Sequence, residues 1–258
     1  MNASLRLGWR TLWRDLRAGE LRLLIVAVLL AVAALTAVGF FADRLQGGLK
    51  RDARQLLGGD AVIVSDNPTP AAFVAQARAL GLEGSGTYGF PTMARAEDAQ
   101  GGASKLVALK AVAAGYPLRG SLLTSATLEG PGKATRDIPP PGEVWVDASL
   151  LDSLALKVGD TLLLGDAGLR VGRVITLEPD RGAGFMSFSP RVMINQADVA
   201  RTALVQPASR VGYRYAVAGS DAAVKRFSDW ADATIKKGEL RGVRLDSFEG
   251  GRPEMRQT

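Results

Sequence analysis

One hydrophobic stretch near the start of the chain dominates the pattern of apolar and polar positions. Residues 23–42 form a run of 20 residues without a charge, a proline or an asparagine. About 20 apolar residues at a rise of ~1.5 Å span the ~30 Å hydrocarbon core of a bilayer. Apolar residues then recur with a period near 3.6 as far as Leu57, and Gly58-Gly59 ends the pattern. The sequence therefore predicts one long helix over about 19–57. We assign residues 21–57 of it as a transmembrane helix that extends into the soluble domain.

Residues 1–20 predict a separate amphipathic helix. Its apolar residues recur at helical spacing and are Leu5, Trp9, Leu12, Trp13 and Leu16. A basic stripe beside that face consists of Arg6, Arg10, Arg14 and Arg17. Tryptophan and arginine in this arrangement are typical of a helix in the lipid headgroup region. We therefore predict membrane-interface roles for the two tryptophans and the four arginines; a solvated basic face is the alternative.

The basic flank also predicts the orientation of the chain. Residues 1–22 carry five arginines against two carboxylates, which favours a cytoplasmic N-terminus and an exported remainder. The apolar run is longer than the 7–15 residues usual in a signal peptide. A retained membrane helix is therefore favoured over a cleaved signal.

The residues after the long helix alternate between strand and helix patterns. Residues 58–114 indicate β-α-β-β, with strands at 60–65, 87–97 and 104–114 and a helix at 71–82. Residues 211–249 indicate β-α-β, with a helix at 221–236 that begins at Ser220-Asp221. Together the two ends predict the ferredoxin-like order β-α-β-β-α-β. The predicted fold class is thus α+β, split by a β-rich insert at 115–210 and followed by a polar tail at 250–258.

The insert has the composition of a small barrel or twisted sheet. Strands are predicted at 142–147, 161–164, 169–177 and 191–195, with short helices at 148–155 and 196–203. Proline- and glycine-rich stretches at 115–120 and 138–142 are the expected seams.

Composition argues against most catalytic chemistry. The chain contains no cysteine and no histidine, which removes the thiol nucleophile, the commonest general base and the commonest zinc ligand. Its formal net charge is +6, but no long basic block or aromatic platform accompanies that charge. We therefore predict no catalytic, cofactor or metal site and no binding to nucleic acid.

Two glycine-rich motifs resemble nucleotide-binding loops without the required context. Residues 84–89 (GSGTYG) fit G-x-G-x-x-G, but a predicted helix precedes them and a strand follows, so a helix-to-strand turn is favoured. Residues 130–135 (GPGKAT) lack both the first glycine and the Ser/Thr after the lysine of a phosphate loop, which indicates a flexible loop. Residues 65–67 (SDN) match one element of penicillin-recognising enzymes, but the other two elements do not occur.

The loop at 178–188 holds the remaining candidates. Glu178 and Asp180 are open to a catalytic role or to cation binding, but an ion pair of either carboxylate with Arg181 is favoured. Phe185, Met186 and Phe188 follow as a cluster of large apolar residues. They are either core or an exposed contact for a partner or a lipid-like ligand; we assign them as candidate periplasmic contacts.

Several short stretches together resemble a known family. They are 16–24 (LRAGELRLL), 38–45 (VGFFADRL), 55–60 (QLLGGD), 115–120 (GYPLRG), 141–147 (PGEVWVD), 156–160 (LKVGD) and 178–182 (EPDRG). In these stretches the chain resembles ABC transporter permeases of the FtsX-like, MacB-like superfamily, in its YbbP-type branch. The likeness extends over essentially the whole sequence.

The resemblance implies a permease subunit in the bacterial inner membrane. It implies a cytoplasmic N-terminal helix, a first membrane helix, a large periplasmic core and a separate ATP-binding subunit as partner. It further implies mechanical coupling of ATP hydrolysis to the periplasmic domain, for export or extraction of hydrophobic or envelope substrates. Assembly would be a homodimer or a pairing with further permease helices.

The family has more membrane helices than this sequence contains. We therefore expect the chain to be the N-terminal part of a longer or truncated product. The alternative functions are a single-pass periplasmic scaffold or adaptor and, less favoured because His and Cys are absent, an anchored envelope enzyme.

Overall fold

A computed structural model describes residues 8–9, 13–14, 20–182, 188–207, 209–238 and 240–247. By internal contacts the chain divides into two compact units, Met1–Arg51 and Asp52–Thr258. The first unit is helical where it is described, and the second carries all the strands of the described residues.

The long predicted helix is present as α1, which covers Glu20–Leu57 without a break. Its large apolar residues between 23 and 41 are exposed, as a helix that faces lipid requires. In length and composition, α1 is the one helix among the described residues that qualifies to cross a membrane. At about 1.5 Å per residue its 38 residues extend about 57 Å, well beyond a ~30 Å hydrocarbon core.

One half of the second unit has the predicted ferredoxin-like order. Its elements are β1 (Ala61–Ser65), α2 (Ala71–Ala79), β2 (Glu83–Ala96), the later strands β10 (Gly212–Ala218) and β11 (Val243–Ser247), and the helix α5 (Asp221–Lys236) between those two. The strands pair antiparallel in the order β11-β1-β10-β2. The α+β class and the split β-α-β-β-α-β pattern are therefore confirmed.

The strand predicted at 104–114 lies outside that pattern. It is β3 (Ser104–Val112), which pairs with the second half of β2 and, in parallel, with β9 (Arg191–Asn195). The place next to the first half of β2 belongs to β10 instead. The sequence pattern could not tell which of the two strands pairs with the first half of β2, because periodicity identifies a strand but not its partner.

The other half closes into a barrel, the first of the two architectures expected for the insert. Its further strands are β4 (Leu122–Ser125), β5 (Lys133–Thr135), β6 (Glu143–Asp147), β7 (Thr161–Leu164) and β8 (Ala167–Leu177). The pairings β2-β3-β9-β6-β8-β7 return to β2 and form a closed ring of six strands. Short helices α3 (Ala148–Leu154) and α4 (Val199–Thr202) follow β6 and β9.

Each half has its own apolar core. The barrel core includes Leu109, Val146 and Leu164, and the leucines of α3 join it. The ferredoxin-like half packs α2 and α5 on the sheet through Phe73, Phe227 and neighbours. The 14-residue strand β2 contributes its first part to one half and its second part to the other.

Helix α5 shows how local sequence fixes these elements. Its bounds agree with the predicted 221–236, and the Ser220 hydroxyl accepts a hydrogen bond from the Ala223 amide as an N-cap. Val224, Phe227 and Ala231 are buried at helical spacing.

Candidate functional site

Within the second unit, α1 ends at a glycine. Gly58 has φ of +72°, and its amide and that of Gly59 donate to the carbonyls of Gln55 and Arg54. A Cβ at Gly58 would lie 3.0 Å from a carboxylate oxygen of Asp180. Because the position needs both a left-handed backbone and close approach to a carboxylate, only glycine fits it without strain.

The first group of charges at this place is the helix-end cluster, which consists of Arg54, Asp60, Arg119 and Asp221. The Asp60 side chain is fully buried and accepts two hydrogen bonds from Arg119, with Nε at 3.0 Å and Nη2 at 2.6 Å. Arg54, in the last turn of α1, lies 3.2 Å from Asp60 and donates to Asp221 at 2.6 Å. The Gly219 amide donates to Asp60 at 3.0 Å. The last turn of α1 is thereby joined to three other segments of the same unit.

The second group is the buried ion cluster, which consists of Lys110, Tyr116, Glu178, Asp180 and Arg191. Lys110 Nζ donates to Glu178 at 2.7 Å, to both Asp180 oxygens at 2.9 Å and to the Tyr116 hydroxyl at 2.8 Å. Tyr116 donates to Asp180 at 2.5 Å, and Arg191 Nε donates to the second Glu178 oxygen at 2.6 Å. All five residues are buried.

The buried ion cluster is electrically balanced, since two cations face two carboxylates. Burial alone raises the pKa of Glu178, but the charges and hydrogen bonds of Lys110 and Arg191 outweigh it and lower that pKa to about 2. Burial, followed by the charges of Asp180 and Glu178, raises the pKa of Tyr116 well above its ordinary value. The carboxylate therefore stays ionised and the phenol stays protonated around neutral pH.

The ion pairs predicted for the 178–182 loop exist, but with other partners. Glu178 and Asp180 pair with Lys110 and Arg191, whereas Arg181 donates to Asp147 at 2.7 Å and to the Ser189 carbonyl at 3.0 Å. The prediction of Arg181 as their partner is therefore wrong. The place that a bound cation would take beside the two carboxylates is occupied by Lys110 Nζ.

Sequence reasoning missed Lys110, Tyr116 and Arg191 as members of the cluster. Two signals were present. Lys110 interrupts the apolar run LVALKAV of β3, and a lysine inside a buried strand needs a counter-charge. The second signal is the predicted seam at 115–120, which contains both Tyr116 and Arg119. Neither signal identifies a partner that is 68–70 residues away.

The predicted interface residues are only partly described. Trp9, Trp13 and Arg14 are helical and exposed, with Trp9 67% exposed. Arg6, Arg10 and Arg17 lie outside the described residues, and so do Phe185 and Met186. Phe188 is described and is 87% exposed, so it is not a core residue. Its role as a periplasmic contact stays a prediction, as do the interface roles.

The glycine-rich motifs have structural roles. Residues 84–89 lie inside β2, so the predicted helix-to-strand turn is wrong. A Cβ at Gly84 would collide with the Tyr215 ring of the neighbouring strand, which explains a glycine within this strand. Residues 133–135 form β5, which pairs with β4, so the predicted flexible loop is partly strand.

Comparison with known proteins gives the family context. No family model matches the chain. Over 241 residues the chain is 35% identical to the uncharacterized ABC transporter permease YbbP of Escherichia coli (strain K12). The match covers 93% of this chain but 28% of that relative, so the chain spans little more than a quarter of its length. This similarity confirms the predicted resemblance to permeases of the YbbP type.

Among solved structures, the periplasmic region of MacB from Actinobacillus actinomycetemcomitans is similar to the chain. The TM-score is 0.47 and the sequence identity is 10%. The match covers 80% of this chain and 96% of that one.

Proposed function

Because the chain is similar to an ABC transporter permease over nearly all its length, we propose that it supplies a first membrane helix and a periplasmic domain to such a permease. The observation that carries the proposal is the 35% identity over 93% of the chain. The exposed apolar helix α1 supports it, since its length and composition suit a bilayer.

ATP hydrolysis would be supplied by a separate ATP-binding subunit. Residues 130–135, which partly resemble a phosphate loop, contribute a strand to a hairpin instead of a strand-to-helix turn. In the helix-end cluster and the buried ion cluster, the carboxylates are paired with arginine or lysine and do not activate a nucleophile. These features favour a transport component over an enzyme.

The two clusters suit mechanical coupling between α1 and the periplasmic domain. Arg54 lies in the last turn of α1 and is held by Asp60 and Asp221, while Gly58 abuts Asp180. The Asp60 carboxylate that both arginines contact is buried, and charged contacts to a buried carboxylate fix geometry more tightly than a flexible linker would. Displacement of the helix end would therefore be transmitted to Arg119 and to residues 178–180. This movement would drive export or extraction of hydrophobic or envelope substrates.

In this proposal the N-terminus is cytoplasmic and the second unit is periplasmic, at the inner membrane of a bacterium. The basic residues before α1 favour that orientation. Trp9, Trp13 and the arginines Arg6, Arg10, Arg14 and Arg17 would sit at the lipid headgroups. Phe188, with Phe185 and Met186, would contact another periplasmic component. The permease would assemble as a homodimer or with further permease helices.

The experiment is purification of the tagged chain from membranes of its native host in mild detergent, followed by reconstitution in nanodiscs. The proposal expects an ATP-binding subunit in fixed stoichiometry and ATP hydrolysis by the complex. Asp60→Asn, which removes the charge that Arg54 and Arg119 share, is expected to change the rate of ATP hydrolysis. Lys225→Gln is the control, since its ion pair with Asp229 on α5 is exposed.

A scaffold or adaptor without transport activity is the alternative. It would be favoured if the chain purified from native membranes without an ATP-binding subunit and showed no ATP hydrolysis.

A further inference from the structure

An open groove lies on the outer surface of the barrel. Its volume is about 620 Å³. The residues that line it come from β2, β3, the β7–β8 hairpin and the segment after α4, and they are Pro91, Thr92, Met93, Arg95, Leu106, Leu163, Gly165 and Leu204. None belongs to the helix-end cluster or the buried ion cluster.

The strand register explains why this surface is apolar. Met93 is opposite Leu106, and Arg95 is opposite Leu163, so these residues share one face. The alternate residues Ala94 and Ala96 point into the barrel core. Outward positions of a barrel in water are normally polar, yet Met93 is 50% exposed and Leu106 is 45% exposed. The groove thus leaves large apolar side chains in solvent.

Among the described residues that line the groove, Arg95 is the cation. Arg95 Nη1 donates to Asp98 at 2.5 Å, and both side chains are exposed. An exposed ion pair of this kind contributes little to stability. An anionic group of a ligand can therefore replace Asp98 as the partner of the Arg95 guanidinium with little loss of stability. An apolar chain of the same ligand would cover Met93, Leu106 and Leu163.

The size of the surface favours a small ligand over a protein. A stable protein interface usually needs about 20–30 residues on each side, whereas eight of the described residues line this groove. Its volume falls in the range of roughly 300–1,000 Å³ that is usual for small-molecule sites. The combination of an apolar floor and one accessible guanidinium matches a ligand with an apolar chain and an anionic head.

We propose that the groove formed by Met93, Leu106, Leu163, Leu204 and Arg95 binds a single-chain amphiphile with an anionic head group. Arg95 binds the head, and the apolar residues hold the chain. Any part of this site in transport rests on the function proposed above, but binding itself does not. A binding measurement therefore distinguishes failure of the site from failure of the transport proposal.

The absence of cysteine from the chain allows a single-site measurement. Ser104 is exposed and lies opposite Arg95 on β3, so Ser104→Cys places a small bimane label beside the proposed head-group position. The full chain in nanodiscs is titrated with 2-bromododecanoate, whose bromine quenches a nearby fluorophore. The methyl ester of the same acid is the uncharged probe. Ser153→Cys, exposed on α3, carries the label in the control protein.

The proposal predicts saturable quenching at position 104 by the acid, with the ester about tenfold weaker because it lacks the charge-assisted hydrogen bond. Arg95→Gln should reduce the affinity for the acid to that for the ester, and Met93→Gln should weaken both. Unlabelled dodecanoate and dodecyl phosphate should each displace the quencher, and their relative affinities tell whether a carboxylate or a phosphate head is preferred.

Three results would overturn the proposal. The first is equal quenching by acid and ester, or equal quenching at positions 104 and 153, because either would show only partition into lipid. The second is unchanged affinity for the acid in Arg95→Gln. The third is a fluorescence change at position 104 that depends on protein concentration when neither acid nor ester is added. The groove would then be a contact between two copies of the chain.

Discussion

Replacement of Lys110 by methionine is the sharpest test of the buried ion cluster. The Lys110 ammonium contacts both Glu178 and Asp180, at 2.7 and 2.9 Å. Its removal leaves two buried carboxylates with Arg191 as their remaining cation. Loss of one partner from a buried ion pair typically costs about 3–5 kcal/mol, because the other charge stays desolvated. We expect the free energy of unfolding to fall by about that amount.

The assay is urea unfolding of the full chain in detergent micelles, followed by tryptophan fluorescence. Trp145 belongs to the same apolar cluster as Tyr116, so its emission reports on this region. Lys105→Met is the matched control, because Lys105 lies on the same strand but is exposed. That change should stay within about 0.5 kcal/mol.

A second variant separates charge imbalance from simple loss of packing. Lys110→Met combined with Asp180→Asn removes one cation and one anion and leaves the Arg191–Glu178 pair. Stability should recover by a large part of the loss, because replacement of a whole buried pair is often neutral. A cost below about 1 kcal/mol for Lys110→Met alone would refute the claim that the cluster is a buried, balanced network. So would a double variant less stable than the single one.

Three further predictions concern the same region. Gly58→Ala should lower the free energy of unfolding in urea by about 1 kcal/mol or more beyond the loss in Gly81→Ala. Both glycines have positive φ, but only Gly58 faces Asp180. Equal losses would contradict the close contact between Gly58 and Asp180. The free energy of unfolding should fall as pH drops from the ordinary glutamate pKa of about 4.3 towards the lowered pKa of Glu178, about 2, and this fall should be smaller in Glu178→Gln. An equal fall in the variant would contradict the lowered pKa of Glu178. Stability should also fall above about pH 10, where the unfolded chain ionises its tyrosines but Tyr116 in the fold stays protonated, and Tyr116→Phe should reduce that loss.

Elements with a local signal could be predicted from the sequence. The charge-free run and the glycine pair define α1, and Ser220 with the apolar spacing after it defines α5. The ferredoxin-like order followed from the succession of strand and helix patterns. These features depend on residues within one or two turns of each other, so periodicity and capping are enough.

Pairing between distant residues could not be predicted in the same way. Whether β3 or β10 lies beside the first half of β2 depends on pairing between strands more than 100 residues apart, which periodicity within each strand does not reveal. Lys110 and Asp180 are 70 residues apart, and the neighbouring Arg181 offered a simpler but wrong partner. A barrel is one of the two architectures that the sequence predicts for the insert, but the sequence does not predict that β2 and β3 belong to it.

The most direct test of the proposed coupling is hydrogen exchange of the backbone amides at 52–60 and 178–182, with the complete transporter in nanodiscs. Exchange is compared with and without a non-hydrolysable ATP analogue, and the amides of α5 serve as the internal reference. We expect exchange to change in both segments when the analogue binds, with α5 unchanged. Identical exchange in both segments with and without the analogue would contradict it.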